Sequence, residues 1–179
     1  MERARLRALA VLLVTTCAAC VSYSDVRFAP TIQNAELQDG PEVQARVAVA
    51  WRGIEERDGI YEFRLRCRVE NPRAQPFTLA PAEFELVDGS LVSLGLARVE
   101  GMPAAVEGGA EATFDLAFPV PGGRTPDDFD LSALELRVSF ESGRWRWSTS
   151  YQRAYPVYGP DPWWGPSFAF GVGVSSCHH

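Results

Sequence analysis

Residues 61–72, reading YEFRLRCRVENP, alternate without a miss: Tyr61, Phe63, Leu65, Cys67 and Val69 are apolar, and Glu62, Arg64, Arg66, Arg68 and Glu70 between them are charged. A period of two over this length predicts a strand with one face in a core and the other in water, as antiparallel sheets allow. Asn71-Pro72 then marks its end, because that pair favours a turn. The alternation recurs along the chain. Val43, Ala45, Val47, Val49 and Trp51 predict a strand closed by a charged turn over 53–59. Ala112, Phe114, Leu116 and Phe118 predict another, and Leu134, Leu136, Val138 and Phe140 a third, which turns at Ser142-Gly143 into Trp145, Trp147, Thr149 and Tyr151.

The stretches between these runs are shorter. Residues 77–79 and 84–87 read as a short strand pair interrupted by Pro81, which a sheet edge or a crossing between sheets tolerates. Asp88-Gly89 signals a tight turn into a strand over 91–99, and 101–109 reads as a loop. The sum is about seven short strands with almost no helical periodicity. The fold class expected is therefore all-β, an antiparallel β-sandwich of immunoglobulin-like type over residues 41–154. One helical turn is expected at Thr125-Pro126-Asp127-Asp128, where a cap residue, a proline and two acids follow in the order a helix start prefers. Asp127, Asp128 and Asp130 could instead suggest calcium, but the Gly and distal Glu of an EF-hand loop are missing.

The two ends break the pattern. At the N-terminus, Arg3, Arg5 and Arg7 precede the apolar run 8–16 and then Cys17-Ala18-Ala19-Cys20, the layout of an export signal, too short for a spanning helix. The Ala18-Ala19-Cys20 segment resembles a bacterial lipobox, although Cys17 stands where that motif most often has Leu. The resemblance implies cleavage after residue 19 and lipidation of Cys20, with multiple acyl chains giving a stable anchor because each buried methylene contributes roughly 0.8 kcal/mol. Val21 rather than Asp follows Cys20, which under the rule of enteric bacteria implies the outer membrane, facing the periplasm. Residues 20–40 then read as a lipidated tether, with an initial strand around 26–28.

At the C-terminus, residues 155–179 combine proline turns with large aromatics around Trp163 and Trp164. Phe168, Phe170, Val172 and Val174 then alternate with Ala169, Gly171 and Gly173. One face of that run is oily and the other bare. It reads either as an arm lying back on the sandwich or as a surface for an envelope protein partner or lipid, with Trp163, Trp164, Phe168 and Phe170 as interaction residues.

Charge narrows the partners. All 17 basic residues are Arg against 23 acids, and the formal net charge is -6. Loss of residues 1–19 removes Glu2, Arg3, Arg5 and Arg7 and leaves a net charge of -8, the wrong sign for a phosphate-binding surface, so no nucleic-acid partner is expected.

Candidate chemistry is sparse. Both histidines, His178 and His179, sit at the extreme C-terminus, and no nucleophile-elbow motif or phosphate loop is present, so no enzyme and no cofactor are expected. Glu83, Glu85, Glu100 and Asp115 are carboxylates on alternating strands and read as outer-face charges. Cys177, His178 and His179 are weak metal candidates, because neighbours on an extended chain point apart. Cys67 and Cys177 are the cysteines left to pair in an oxidising compartment, while Cys67 also fits as a small core hydrophobe.

Four segments carry a family resemblance: Val69-Glu70-Asn71-Pro72, Pro76-Phe77-Thr78-Leu79, Phe84-Glu85-Leu86-Val87-Asp88-Gly89, and Gly108-Gly109 ahead of residues 112–120. Over roughly half its length the chain thereby resembles small extracytoplasmic immunoglobulin-like domains of bacterial lipoproteins and, more loosely, the water-stress domain of late embryogenesis abundant type. The resemblance implies a binding, scaffolding or stress-tolerance module and brings no catalytic residue. The function expected is a lipid-anchored, non-enzymatic binding or structural module of the cell envelope, with a small-ligand or metal-binding lipoprotein as the alternative.

Overall fold

The computed structural model describes Tyr23 and residues 26–155. These form an antiparallel β-sandwich. One sheet has the order β1-β12-β11-β6-β7, from β1 (Arg27–Ala29), β12 (Trp145–Ala154), β11 (Ala133–Phe140), β6 (Glu83–Asp88) and β7 (Ser93–Leu96). The other has the order β2-β3-β4-β10-β8, from β2 (Ile32–Asp39), β3 (Glu42–Arg57), β4 (Ile60–Glu70), β10 (Glu111–Pro119) and β8 (Arg98–Glu100). A small ribbon pairs β5 (Phe77–Thr78) with β9 (Ala105–Val106).

Strand β4, the clearest alternating run, is the central strand of its sheet, between β3 and β10. Its Phe63, Leu65, Cys67 and Val69 are completely buried. Facing them are Phe84 and Leu86 of β6, Leu134, Leu136, Val138 and Phe140 of β11, and Tyr151 of β12. Each large side chain so removed from water contributes about 1.5–3 kcal/mol against the entropy of ordering the chain. Edge-to-face aromatic pairs fix the layer, with Phe84 5.8 Å from Phe114 and 5.6 Å from Phe140.

The structure has twelve strands among the described residues where about seven are expected, and the differences have local causes. The charged turn expected over 53–59 is strand for most of its length. β3 continues to Arg57 past a bulge between Trp51 and Gly53, where Gly53 takes a φ of 133°. The actual turn is the two-residue loop Asp58-Gly59, with both φ values positive and Arg57 paired to Ile60, the geometry an Asp-Gly hairpin favours. The strand expected over 91–99 is two strands: β7 pairs with β6, then Ala97 passes the chain to the opposite sheet, where β8 pairs with β10. The pair expected between 77–79 and 84–87 does not form. β5 pairs with β9, and β6 pairs with β11 and β7.

Residues 27–39, expected mostly as tether, are β1 and β2. β1 lies on the far edge of one sheet and β2 on the near edge of the other, so this segment seals one side of the sandwich as β7 and β8 seal the opposite side. Its pattern is weak because both are edge strands with mainly exposed side chains. Phe28 and Leu37 are the inward anchors.

Candidate functional site

Two clasps explain the motif residues. Asn71, fully buried at the end of β4, donates from Nδ2 to the carbonyl oxygens of Gln75 at 2.7 Å and Val106 at 2.9 Å, and its Oδ1 accepts the Arg73 amide at 3.0 Å. Its backbone pairs with Ala110 and Gly109. A Cβ at Gly108 would strike the Ala74 carbonyl, so this glycine is required by close approach. The Asn-Pro and Gly-Gly motifs therefore meet in space. In the second clasp Asp88 is buried, its Oδ1 accepting the amides of Ser90 at 3.0 Å and Val92 at 2.7 Å, and its Oδ2 the Asp130 amide at 3.0 Å. A Cβ on Gly89 would come within 2.7 Å of Asp130 Oδ2 and Ser132 Oγ. Asp130 is thus a loop brace, and its carboxyl sits below the usual range chiefly because Ser132 hydrogen-bonds to it. Asp128 caps its short turn, Pro126–Asp128, by accepting the Thr125 amide at 2.7 Å.

The outer face of the β4 sheet is laced by ion pairs. Arg66 grips Asp115 with Nε at 2.8 Å and Nη2 at 2.9 Å, directly across from it in register. Arg68 meets Glu111, and Arg46 bridges Glu36 and Glu70 at 3.2 Å each. At one end the Glu62 carboxylate is almost fully covered, held by Arg64 at 3.2 Å and Arg98 at 2.9 Å, with Glu100 3.4 Å from Arg64. These guanidinium bonds hold the carboxyls of Asp115 and Glu100 below their ordinary values. A general acid for glycoside hydrolysis needs the opposite shift. The Arg64, Arg66 and Arg68 ladder accordingly has acid partners, and the exposed pairs among them each contribute little to stability.

The outer face of the β11 sheet holds an open concavity of about 530 Å³ bordered by Glu83, Glu85, Arg137, Ser139, Arg146 and Ser148. Arg137 lies 3.3 Å from Glu85 and 3.0 Å from Glu135. Beside it the β6–β7 hairpin exposes Leu91 (70%) and Leu96 (61%), together with Val92. Leu91 has a φ of 64°, which a residue with a Cβ adopts only at a cost. Nothing in the alternation marked this residue, because it lies in what reads as the start of a strand.

Among the described residues no group of three or more His, Cys, Asp or Glu is placed to hold a metal ion, and no helix is long and apolar enough to cross a membrane. Cys67 is a free thiol in the core, and burial pushes its pKa up to about 12. Cys20, Trp163, Trp164, Phe168, Phe170, Cys177, His178 and His179 lie outside the described residues. Tyr23, inside the stretch read as tether, is instead built into the body. Its hydroxyl donates to Asp127 Oδ2 at 2.7 Å and its ring stands edge-on to Tyr61 at 5.0 Å.

The fold and these surfaces define an all-β antiparallel sandwich protein. The chain is similar to a conserved hypothetical protein from Bacillus anthracis, with 11% identity, 67% of this chain and 98% of that one covered, and a TM-score of 0.36. It is also similar to an uncharacterized β-sandwich protein from Clostridium difficile 630, with 6% identity, coverage of 72% and 90%, and a TM-score of 0.36. A functionally unknown protein from Listeria monocytogenes EGD-e shows 10% identity, coverage of 73% and 87%, and a TM-score of 0.35. No protein-family model and no curated protein matches the chain.

Proposed function

We propose that this is a lipid-anchored cell-envelope protein whose immunoglobulin-like sandwich is a non-enzymatic binding or structural module, attached through Cys20. The observation that carries the reading is the position of Tyr23. The export-type segment runs up to Cys20, and a residue only three places later is packed against Tyr61 and bonded to Asp127. A folded body that reaches back to Tyr23 is compatible with a chain cut before Cys20. Three residues span at most about 11 Å, so an acylated Cys20 would hold the sandwich against the bilayer without a long tether. The non-enzymatic part is supported by the use of the polar residues: Asn71 and Asp88 close loops, and Arg66, Arg64 and Arg98 occupy the carboxylates of the outer face.

The test is metabolic labelling with a palmitate analogue in a bacterial host, comparing the chain with its Cys20→Ala variant. Label and membrane association that disappear together in the variant are expected. Label retained by Cys20→Ala, or an unlabelled wild type, overturns the reading.

A further inference from the structure

Strand direction gathers several chain tips at one end of the sandwich. β4 begins there with Ile60, β6 ends there with Asp88, and β12 ends there with Ala154, paired to Arg27 at the start of β1. The segment from Pro119, beside Glu62 of β4, to Ala133, beside Gln152 of β12, crosses between the two sheets at this same end. Tyr23 is fastened to that crossing, with its hydroxyl on Asp127 at 2.7 Å and its ring against Tyr61. Asp130, in the same segment, is fastened to the 88–92 hairpin loop. Its amide donates to Asp88 Oδ2 at 3.0 Å, and its carbonyl accepts the Gly89 amide at 2.9 Å. Tyr23 and the hairpin loop therefore sit on one short stretch of chain.

Exposed apolar side chains follow the same division. Among the described residues Ile32, Ile60, Leu91, Val92, Leu96 and Tyr155 are the large apolar side chains open to water. Ile32 and Leu96 lie along strands, opposite Ala50 and Glu85. Ile60, Leu91, Val92 and Tyr155 all belong to the Tyr23 end. The loops of the opposite end, over 71–76, 101–110 and 141–144, carry none among the described residues. Leu91 adds backbone strain to exposure, since its φ is 64° while its side chain is covered by almost nothing in the fold. Strain held without burial points to a residue whose cover lies outside the fold.

We infer that the Tyr23 end rests on the lipid bilayer, with Leu91 and Val92 set into the interface between headgroups and acyl chains and Ile60 and Tyr155 beside them. The inference rests on the anchor proposed at Cys20 and adds an orientation to it. Cys20 precedes Tyr23 by three residues, at most about 11 Å of chain, so the membrane that an acylated Cys20 enters lies next to this end and not the other. Apolar tips placed there lose their contact with water without any further partner. Tyr155 suits the same boundary, because its ring is apolar and its hydroxyl reaches water or headgroups.

The test uses the acylated chain, purified from a bacterial host in detergent and returned to vesicles of phosphatidylethanolamine and phosphatidylglycerol. The environment-sensitive fluorophore NBD is attached in a Leu91→Cys variant or, at the opposite end, in a Glu107→Cys variant. Both carry Cys177→Ser, and Cys67 is buried in the core. Mass spectrometry reports acylation independently of the fluorescence. The expected result is a blue shift at position 91 on reconstitution, with lipids brominated near the headgroup quenching it severalfold more than at position 107. In acylated protein, equal quenching at the two positions overturns the orientation and leaves the anchor standing. So does a blue shift at position 91 that brominated lipid does not quench, which assigns the tips to a second copy of the chain. A mass without acyl groups overturns the anchor, and this inference with it.

Discussion

The Tyr151 hydroxyl donates to the carbonyl oxygen of Val49 at 2.9 Å through the middle of the sandwich, tying the last strand of one sheet to β3 of the other. Both residues are fully buried, and burial raises the Tyr151 pKa, so the hydroxyl remains a donor at any physiological pH. Tyr151→Phe keeps the ring and removes this bond. The expected loss is about 1 kcal/mol, seen as a fall in Tm of roughly 3–6 °C. Unchanged thermal unfolding would mean that the bond contributes nothing net.

The Asn71 clasp ties two loops together at one point, so its removal should exceed the loss of any exposed polar residue. Asn71→Ala strips the partner from the buried carbonyl of Val106 and from the half-covered carbonyl of Gln75, and is expected to cost about 2–4 kcal/mol. Gly108→Ala pushes a methyl into the Ala74 carbonyl and should cost about 1–3 kcal/mol by overpacking alone. Because both act on the same contact between the 71–75 and 106–110 segments, the double variant should lose less than the sum. Denaturant unfolding of the two singles and the double measures this, and strict additivity would contradict a shared clasp.

Leu91 is expected to run the other way. It is 70% exposed and holds a left-handed backbone, so its side chain gains little from burial while the conformation costs about 1–2 kcal/mol. Leu91→Gly should therefore raise stability by about 1 kcal/mol. An unchanged or lower unfolding midpoint in the variant would show that the apolar side chain stabilises the hairpin with Val92 and Leu96.

The acid response follows from Asp115. Its carboxyl is depressed chiefly by hydrogen bonding from Arg66, opposed next by burial, with the charges of Arg66, Arg64 and Arg52 adding to the depression. A group depressed on folding adds stability that is present above its unfolded pKa and is lost as pH falls through the folded value. The stability difference between the wild type and Asp115→Asn, about 0.5–1 kcal/mol for a half-exposed bidentate pair, should stay level from about pH 5 to 8 and shrink below about 4. Urea midpoints across that range provide the check, and a difference that grows on acidification would reverse the assignment.

How much of this was legible beforehand depends on burial. β4, β10 and β11 each put one face on a full core, so their side chains alternate and their positions read directly from the chain. β1, β2 and β8 are edge strands with little to bury, and their pattern is correspondingly faint. The Asp58-Gly59 hairpin carried a readable signal, but the glycine at 53 drew the turn too early, because a bulge and a turn need the same residue type. Asn71 and Asp88 were visible as turn markers. Their work as buried clasps was not, since their partners lie 35 and 42 residues away at Val106 and Asp130.

Cys67 offers a direct probe of the core. It is completely buried on the central strand, and burial lifts its thiol to about 12, far above the range in which a thiolate forms at neutral pH. Reaction with Ellman's reagent at pH 8 should therefore wait on opening of the sandwich and proceed at the unfolding rate, because β4 is paired on both sides by β3 and β10. In a chain produced from residue 20 onward, Cys177→Ser together with Cys20→Ala leaves Cys67 as the sole thiol. Its labelling should be negligible in native buffer and stoichiometric in denaturant. Rapid native labelling would show that the centre of the β4 sheet opens locally. In the chain that retains Cys177, unreduced and denatured, two titratable thiols would exclude a Cys67–Cys177 disulfide, whereas none would require Cys67 to leave its buried place on β4 or the C-terminal segment to enter the core beside it.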